Sequence, residues 1–206
     1  MTRSLGYRLL AGAAVYISLA LLLTWLVLTS LFEKHVAAQI ERELVAVIDT
    51  MAAHLDRKAG ALEISMEPSD PRYAIPAGGR YWQAWLEGAP LLRSRSLWDK
   101  EIKYSADPEA YGNLVTMSGP AGGDLLALSE KLNIEGDDGA FDVILTAAAD
   151  RSEFDESVSG FNRSLLLMLA LTALALMLAA ALQVRFGLRP LRDLSNAVAN
   201  VRTGEA

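Results

Sequence analysis

Two long runs of apolar residues dominate the hydrophobic pattern of the chain. No charged residue occurs from Leu9 to Phe32 or from Leu165 to Val184, and neither run contains proline. At ~1.5 Å of rise per residue, each run is long enough to cross a hydrocarbon layer of about 30 Å. We therefore predict transmembrane helices over residues 9–32 and 164–184. A cleaved signal peptide is the alternative for the first run, but the run is longer than the apolar core of such peptides.

Helical periodicity continues directly after the first run. Apolar residues recur there at steps of three and four: Val36, Ile40, Leu44, Val47, Met51 and Leu55. With no glycine or proline before Gly60, this spacing predicts a helix that continues from the first span for about six turns. Its apolar stripe is expected to pack on the body of its own domain, on a second copy of itself, or on both.

Short alternating segments separated by turn residues follow Gly60. GRYWQAWL and LLRSRSLW flank the turn EGAP, and DLLALSEKLNI and FDVILTAAA flank EGDDGA. Alternation at period two around glycine-containing turns predicts two antiparallel hairpins. Their predicted faces are Trp82, Ala84 and Leu86 on one strand, Leu92, Ser94, Ser96 and Trp98 on the next, and Phe141, Val143 and Leu145 on the last.

A helix start is predicted before the second apolar run. Asp150 and Glu153 have the spacing of a capping box, which marks a helix leading into the second span. The fold class is therefore a membrane protein of the α+β type. Two transmembrane helices flank a mixed α/β domain with an antiparallel sheet, and an all-helical bundle is excluded.

The charge distribution predicts the orientation of the two spans. Arg3 and Arg8 precede the first span, and basic residues follow the second at Arg185, Arg189 and Arg192. Residues 33–163 carry 23 acidic and 13 basic side chains. Because basic residues favour the cytoplasmic side, we expect residues 1–8 and 185–206 in the cytoplasm. Residues 33–163 are then outside, which in a bacterium with two membranes means the periplasm.

The last residues form an apolar seam of the coiled-coil type. It consists of Leu191, Leu194, Val198 and Val201, and Pro190 precedes it as a helix start. The segment RFGLRPLRDLSNAVANVRTGE resembles the first helix of a HAMP domain, the dimeric relay beneath the membrane in bacterial receptors. The insert between the spans is similar to the periplasmic PAS-like domains of sensor histidine kinases, with YWQ at Tyr81–Gln83 and SRSLWD at Ser94–Asp99 as similar segments.

The resemblance implies the sensing region of a two-component sensor histidine kinase, as the amino-terminal part of a longer receptor. It implies a homodimer formed through the membrane-proximal helices and embedded in lipid. A response regulator, ATP and Mg²⁺ would bind the kinase core, and no cofactor is expected in these 206 residues. Phosphotransfer is not expected here, because His35 and His54 fall in the exported segment. The alternatives are a chemoreceptor, a cyclic-dinucleotide enzyme, or a non-signalling envelope scaffold.

An acidic turn is a candidate cation site. Its carboxylates suit a divalent cation such as Ca²⁺ or Mg²⁺, which would then be the stimulus: Glu135, Asp137 and Asp138. A solvated hairpin tip is the alternative.

Three arginines are candidates for an anionic ligand: Arg80, Arg93 and Arg95, with Trp82, Trp85 or Trp98 as walls. The alternative puts the arginines on a solvated strand face and the tryptophans in the core. Basic residues are few and dispersed, so nucleic acid is not an expected partner.

Overall fold

The computed structural model describes residues 2–58, 61–86, 89–103, 111–120, 122–136 and 139–187. Of residues 2–6, 56–58, 61, 89, 135, 136 and 187, only the backbone is described. The chain divides into two compact units. One contains the described residues of Met1–Phe32 and Ser159–Ala206, and the other is Glu33–Val158.

One long helix precedes the strands in the chain and another follows them. Helix α1 covers Thr2–His54 and helix α2 covers Arg151–Gly187. Both contain a stretch long and apolar enough to cross a membrane, judged by length and composition. The strands between them are β1 (Leu55–Lys58), β2 (Ala61–Ile64), β3 (Arg80–Leu86), β4 (Ala89–Arg93), β5 (Val115–Ser118), β6 (Asp124–Gly136) and β7 (Gly139–Asp150). The predicted α+β class with two long apolar helices is confirmed.

Strands β3 to β7 form one antiparallel sheet in the order β4-β3-β7-β6-β5. Both predicted hairpins are present, as β3–β4 and β6–β7. Pro90 lies on β4, an edge strand of this sheet, where a missing N–H is tolerated. A smaller sheet pairs β1 with β2.

Helix α1 covers one face of the larger sheet with the apolar stripe that the sequence predicts. Leu44, Ile48 and Met51 are fully buried and belong to one core cluster with Trp82 and Leu145. The stripe therefore packs on its own domain, the first of the three arrangements that the sequence allows. On the opposite face of the sheet, Tyr81 belongs to a second cluster of buried residues that also contains Leu97 and Ile102.

The strand predicted through Trp98 is wrong beyond Arg93. Ser94 Oγ accepts a hydrogen bond from Trp82 N–H, and Ser96 Oγ donates to Arg80 O at 2.6 Å. These bonds turn the chain into a 3₁₀ helix, Arg95–Leu97. Trp98 ends this helix with a φ of 56° and is 65% exposed, so it is not part of a strand face or of the core.

The periodicity predicts that Leu55 continues the helix. In the structure, Leu55 instead begins β1. The β1–β2 hairpin was not predicted, because LDRKAGALEI contains too few apolar residues to mark alternation. Leu55 and Leu62 are nevertheless buried in the main core cluster, which holds the hairpin against the domain.

Candidate functional site

One arginine side chain of β3 joins the two long helices. Arg80 is the first residue of the strand, and its side chain is only 7% exposed. Its Nη2 donates to Glu43 Oε2 of α1 and to Glu153 Oε2 of α2, both at 3.0 Å. All three residues belong to the unit Glu33–Val158. The guanidinium is therefore a shared contact between the sheet and both helices.

A second arginine extends this cluster. Arg72 lies in the 3₁₀ helix Pro71–Tyr73, whose N-cap is Asp70. Its Nε and Nη2 donate to the Asp70 carboxylate, at 3.0 Å and 2.6 Å to Oδ2, and its Nη1 donates to Glu153 Oε1 at 2.9 Å. Hydrogen bonds from the Arg72 side chain lower the pKa of Asp70, and burial opposes them. Both arginines therefore meet at Glu153.

Glycine is required at the turn that separates these arginines. A Cβ at Gly78 would lie 2.3 Å from Arg72 O and 2.8 Å from Ile75 O, both backbone atoms. Gly79, with a φ of 81°, accepts a hydrogen bond at its carbonyl from Asp150 N–H at 2.7 Å. The turn thus carries the chain from Arg72 to Arg80 while anchoring the start of α2.

The capping box predicted at Asp150 is half correct. Asp150 Oδ1 accepts the Ser152 N–H at 2.8 Å, as an N-cap does. The Asp150 N–H, however, donates to Gly79 O and leaves the Glu153 carboxylate for the two arginines. Tertiary pairing with two guanidinium groups therefore replaces the local bond.

A cavity of about 380 Å³ lies beside the arginines, between α1 and the segment around the first 3₁₀ helix. Its lining residues are Glu43, Ala46, Val47, Thr50, Pro68, Ser69, Asp70, Arg72, Tyr73 and Arg80. Arg80 Nε is buried and has no hydrogen-bond partner. Tyr73 is 4% exposed, and desolvation raises the pKa of its phenol to about 12. The cavity is therefore lined by carboxylate and hydroxyl groups and by the side chain that carries this buried, unpartnered nitrogen.

The three arginines predicted for an anionic ligand do not lie at one site. Arg93 is exposed, pairs with Glu101 at 3.6 Å, donates to Lys100 O, and lines a different, smaller cavity. Arg95 is exposed in the second 3₁₀ helix. Trp82 and Trp85 are buried, in agreement with the alternative that assigned them to the core.

The other predicted sites fall mostly outside the described residues. Asp137, Asp138, Pro190 and the seam lie outside them, and Glu135 is described only by its backbone. Within the described ranges, no group of three or more His, Asp or Glu side chains is arranged to hold a metal ion. The cation site and the relay stay predictions.

The unit that contains both apolar spans has a polar contact between its two helices. Thr29 Oγ1 donates to Asn162 Oδ1 at 2.8 Å. One helical turn away, the rings of Phe32 and Phe161 stack with centroids 4.0 Å apart and planes inclined by 7°. No residue pattern predicts this pair, although Thr29 is polar within an apolar run and Asn162 lies just before the second run.

The chain is similar over its full length to a bacterial sensor protein. It is 26% identical over 208 residues to the two-component sensor PhoQ of Pseudomonas aeruginosa, an alignment that covers 100% of this chain and 46% of that protein. The chain thus spans about half the length of this curated relative. No family model and no solved structure matches. The similarity supports a sensing role in a two-component system, and the two apolar helices fit an inner-membrane protein.

Glu153→Gln is expected to destabilise the unit Glu33–Val158 by about 2 kcal/mol, because hydrogen bonds to two charged guanidinium groups are weakened. Denaturant unfolding of the detergent-solubilised chain, followed by tryptophan fluorescence, measures the change. Glu67→Gln, at an exposed position of the same unit, is the control and should shift the unfolding free energy by less than about 0.5 kcal/mol. Equal effects of the two substitutions would contradict the assignment.

Alkaline pH is expected to destabilise the domain through Tyr73. Its pKa is raised from 10.0 to about 12. The contribution of the neutral phenol to the free energy of unfolding is therefore complete below pH 10 and is lost as the pH rises towards 12. The loss is about 1.4 kcal/mol per pH unit within that window. The absorbance difference at the tyrosinate band between the wild type and Tyr73→Phe should titrate near pH 12; a midpoint at 10 would refute the burial of the phenol.

Proposed function

We propose that the chain is the sensing region of a two-component sensor histidine kinase of a bacterial inner membrane. Residues 33–163 form a PAS-like periplasmic domain that receives a stimulus, and the second span passes it to a HAMP relay. The observation that carries this proposal is the alignment with a two-component sensor over both apolar helices and the whole intervening domain. Kinase activity, ATP, Mg²⁺ and the response regulator belong in this proposal to the longer protein.

The contact of Arg80 with both helices supports a route for the signal. A stimulus shifts a protein between two states only by binding them with different free energies. Glu43 of α1 and Glu153 of α2 share one nitrogen atom, Nη2, of the guanidinium. A stimulus that favours one of these partners changes how the start of α2 is held relative to α1. Helix α2 then continues without a break from Arg151 to Gly187.

The relay itself is proposed to be dimeric. A single helix with the seam Leu191, Leu194, Val198 and Val201 is too short to be stable alone in water. Packing against the same seam of a second chain, after the helix start at Pro190, would stabilise it. Two packings of this seam are the proposed bistable output of the stimulus. The acidic turn Glu135, Asp137 and Asp138 remains a proposed site for a divalent cation as the stimulus.

Membrane topology provides a direct test, because the chain has no native cysteine. Met66→Cys, at a position that is 53% exposed, should react in intact spheroplasts with a maleimide that cannot cross membranes. Gly204→Cys should react only after the membrane is permeabilised. The measurement is gel mobility after labelling, with the cysteine-free chain as the control. Labelling of Met66→Cys only after permeabilisation would refute a periplasmic sensing domain.

Leu194→Asp tests the relay in the receptor expressed from its complete gene. A carboxylate in the seam should abolish the response of the kinase to the stimulus, because an unpaired buried charge prevents seam packing. Autophosphorylation in membrane vesicles measures the response. Asp193→Asn, off the seam, is the control and should retain it. A normal response in Leu194→Asp would exclude the seam as the relay.

A further inference from the structure

The guanidinium of Arg80 is only partly used by the protein. Its Nε and Nη2 N–H groups form one edge of the planar group, with the geometry that a carboxylate binds through two oxygens. Nη2 is shared between Glu43 and Glu153, each through a single oxygen, while Nε is buried without a partner. Arg72 shows the complete arrangement in the same cluster, since its Nε and Nη2 both bind Asp70. An acceptor is therefore missing at Arg80.

The charges of the cluster identify Glu43 as the replaceable partner. Two arginines, Arg72 and Arg80, are balanced by Asp70 and Glu153, which they bind directly. Glu43 adds a further negative charge, and its side chain is the most exposed of the three carboxylates at 45%, against 39% and 31%. An anion that takes the position of Glu43 leaves the formal charge of the cluster unchanged. The Glu43 carboxylate, whose Oε1 also accepts a hydrogen bond from Gln39 Nε2 at 3.3 Å, then turns towards solvent.

We propose that the cavity of about 380 Å³ beside Arg80 binds a small carboxylate. The ligand accepts hydrogen bonds from Arg80 Nε and Nη2 and displaces the carboxylate of Glu43. Arg80 retains its bond to Glu153 of α2 but loses its contact with α1. Binding therefore releases one helix from the shared guanidinium and leaves the other attached. This inference deepens the sensing function proposed above, and it rests on that function for the signalling consequence alone.

The geometry favours a carboxylate over other ligands. A monovalent planar carboxylate matches the two-nitrogen edge and replaces the charge of Glu43, whereas a dianionic phosphate would add a second negative charge beside Asp70. A metal cation is disfavoured, because the carboxylates of Glu43 and Asp70 in the cavity are already paired with Arg80 and Arg72, whose positive charges would repel it. The cavity is also lined by Thr50, Ser69 and Tyr73. Their hydroxyl groups suit polar substituents on the ligand.

Binding of acetate and lactate, two monovalent carboxylates, to the full chain in detergent micelles tests the proposal, with chloride and phosphate at matched ionic strength for comparison. Thermal stability should rise saturably with the carboxylates, less with phosphate and not with chloride. Arg80→Lys keeps the charge but loses the planar edge, and it should weaken binding at least about tenfold. Glu43→Gln removes the charge of the competing group and should strengthen binding several-fold. Arg93→Lys, the control outside the cavity, should leave the affinity unchanged.

Ala46→Phe provides a second test that leaves Arg80 in place. Ala46 is an exposed residue of α1 that lines the cavity, so a phenyl ring should fill the space and abolish binding without disturbing the core. This variant tests carboxylate binding in the cavity even if Arg80→Lys does not fold. Three results would overturn the proposal: no saturable carboxylate binding to the wild type or Glu43→Gln, binding that survives Ala46→Phe, or tighter binding of phosphate. Binding is measured without any kinase output, so failure of the signalling function would be seen separately, as loss of response with binding intact.

Discussion

A guanidinium removed from water must be paired, because an isolated buried charge costs several kcal/mol. At Arg80 this requirement is met by carboxylates that are 37 residues earlier and 73 residues later in the chain. One comes from α1 and the other from α2, so one side chain links the sheet to both helices.

The apolar core gives this polar cluster a rigid frame. Leu44 is fully buried against the sheet, whereas Glu43, its neighbour on α1, remains 45% exposed at the cavity. Successive residues of a helix point about 100° apart, so one turn of α1 carries both a fixed contact and an exchangeable one. Closely packed side chains resist continuous deformation. The exchangeable contact can therefore change while the fixed contact holds this turn of α1 on the sheet.

Much of the fold was predictable from the chain, but the site was predictable only in part. The spans, the extension of α1 and both major hairpins were marked by strong periodicity over many residues. The β1–β2 hairpin was missed, and the strand before Ser94 was extended too far. Its end depends on side-chain bonds from Ser94 and Ser96 to β3, which have no periodic signature. Arg80 was identified as a candidate for anion binding, yet it was grouped with Arg93 and Arg95, which the fold places elsewhere.

The sequence by itself determined the apolar spans, the buried stripe of α1 and the strand alternation, because each depends on the spacing of neighbouring residues. Only the tertiary structure decided which carboxylates meet Arg80, and that Glu153 binds arginines in place of closing its capping box. It also decided that a cavity with an unpartnered Nε lies between α1 and the first 3₁₀ helix. Pairing between charges so far apart in the chain arises only when the sheet brings the two helices together, and no local pattern of residues encodes that meeting.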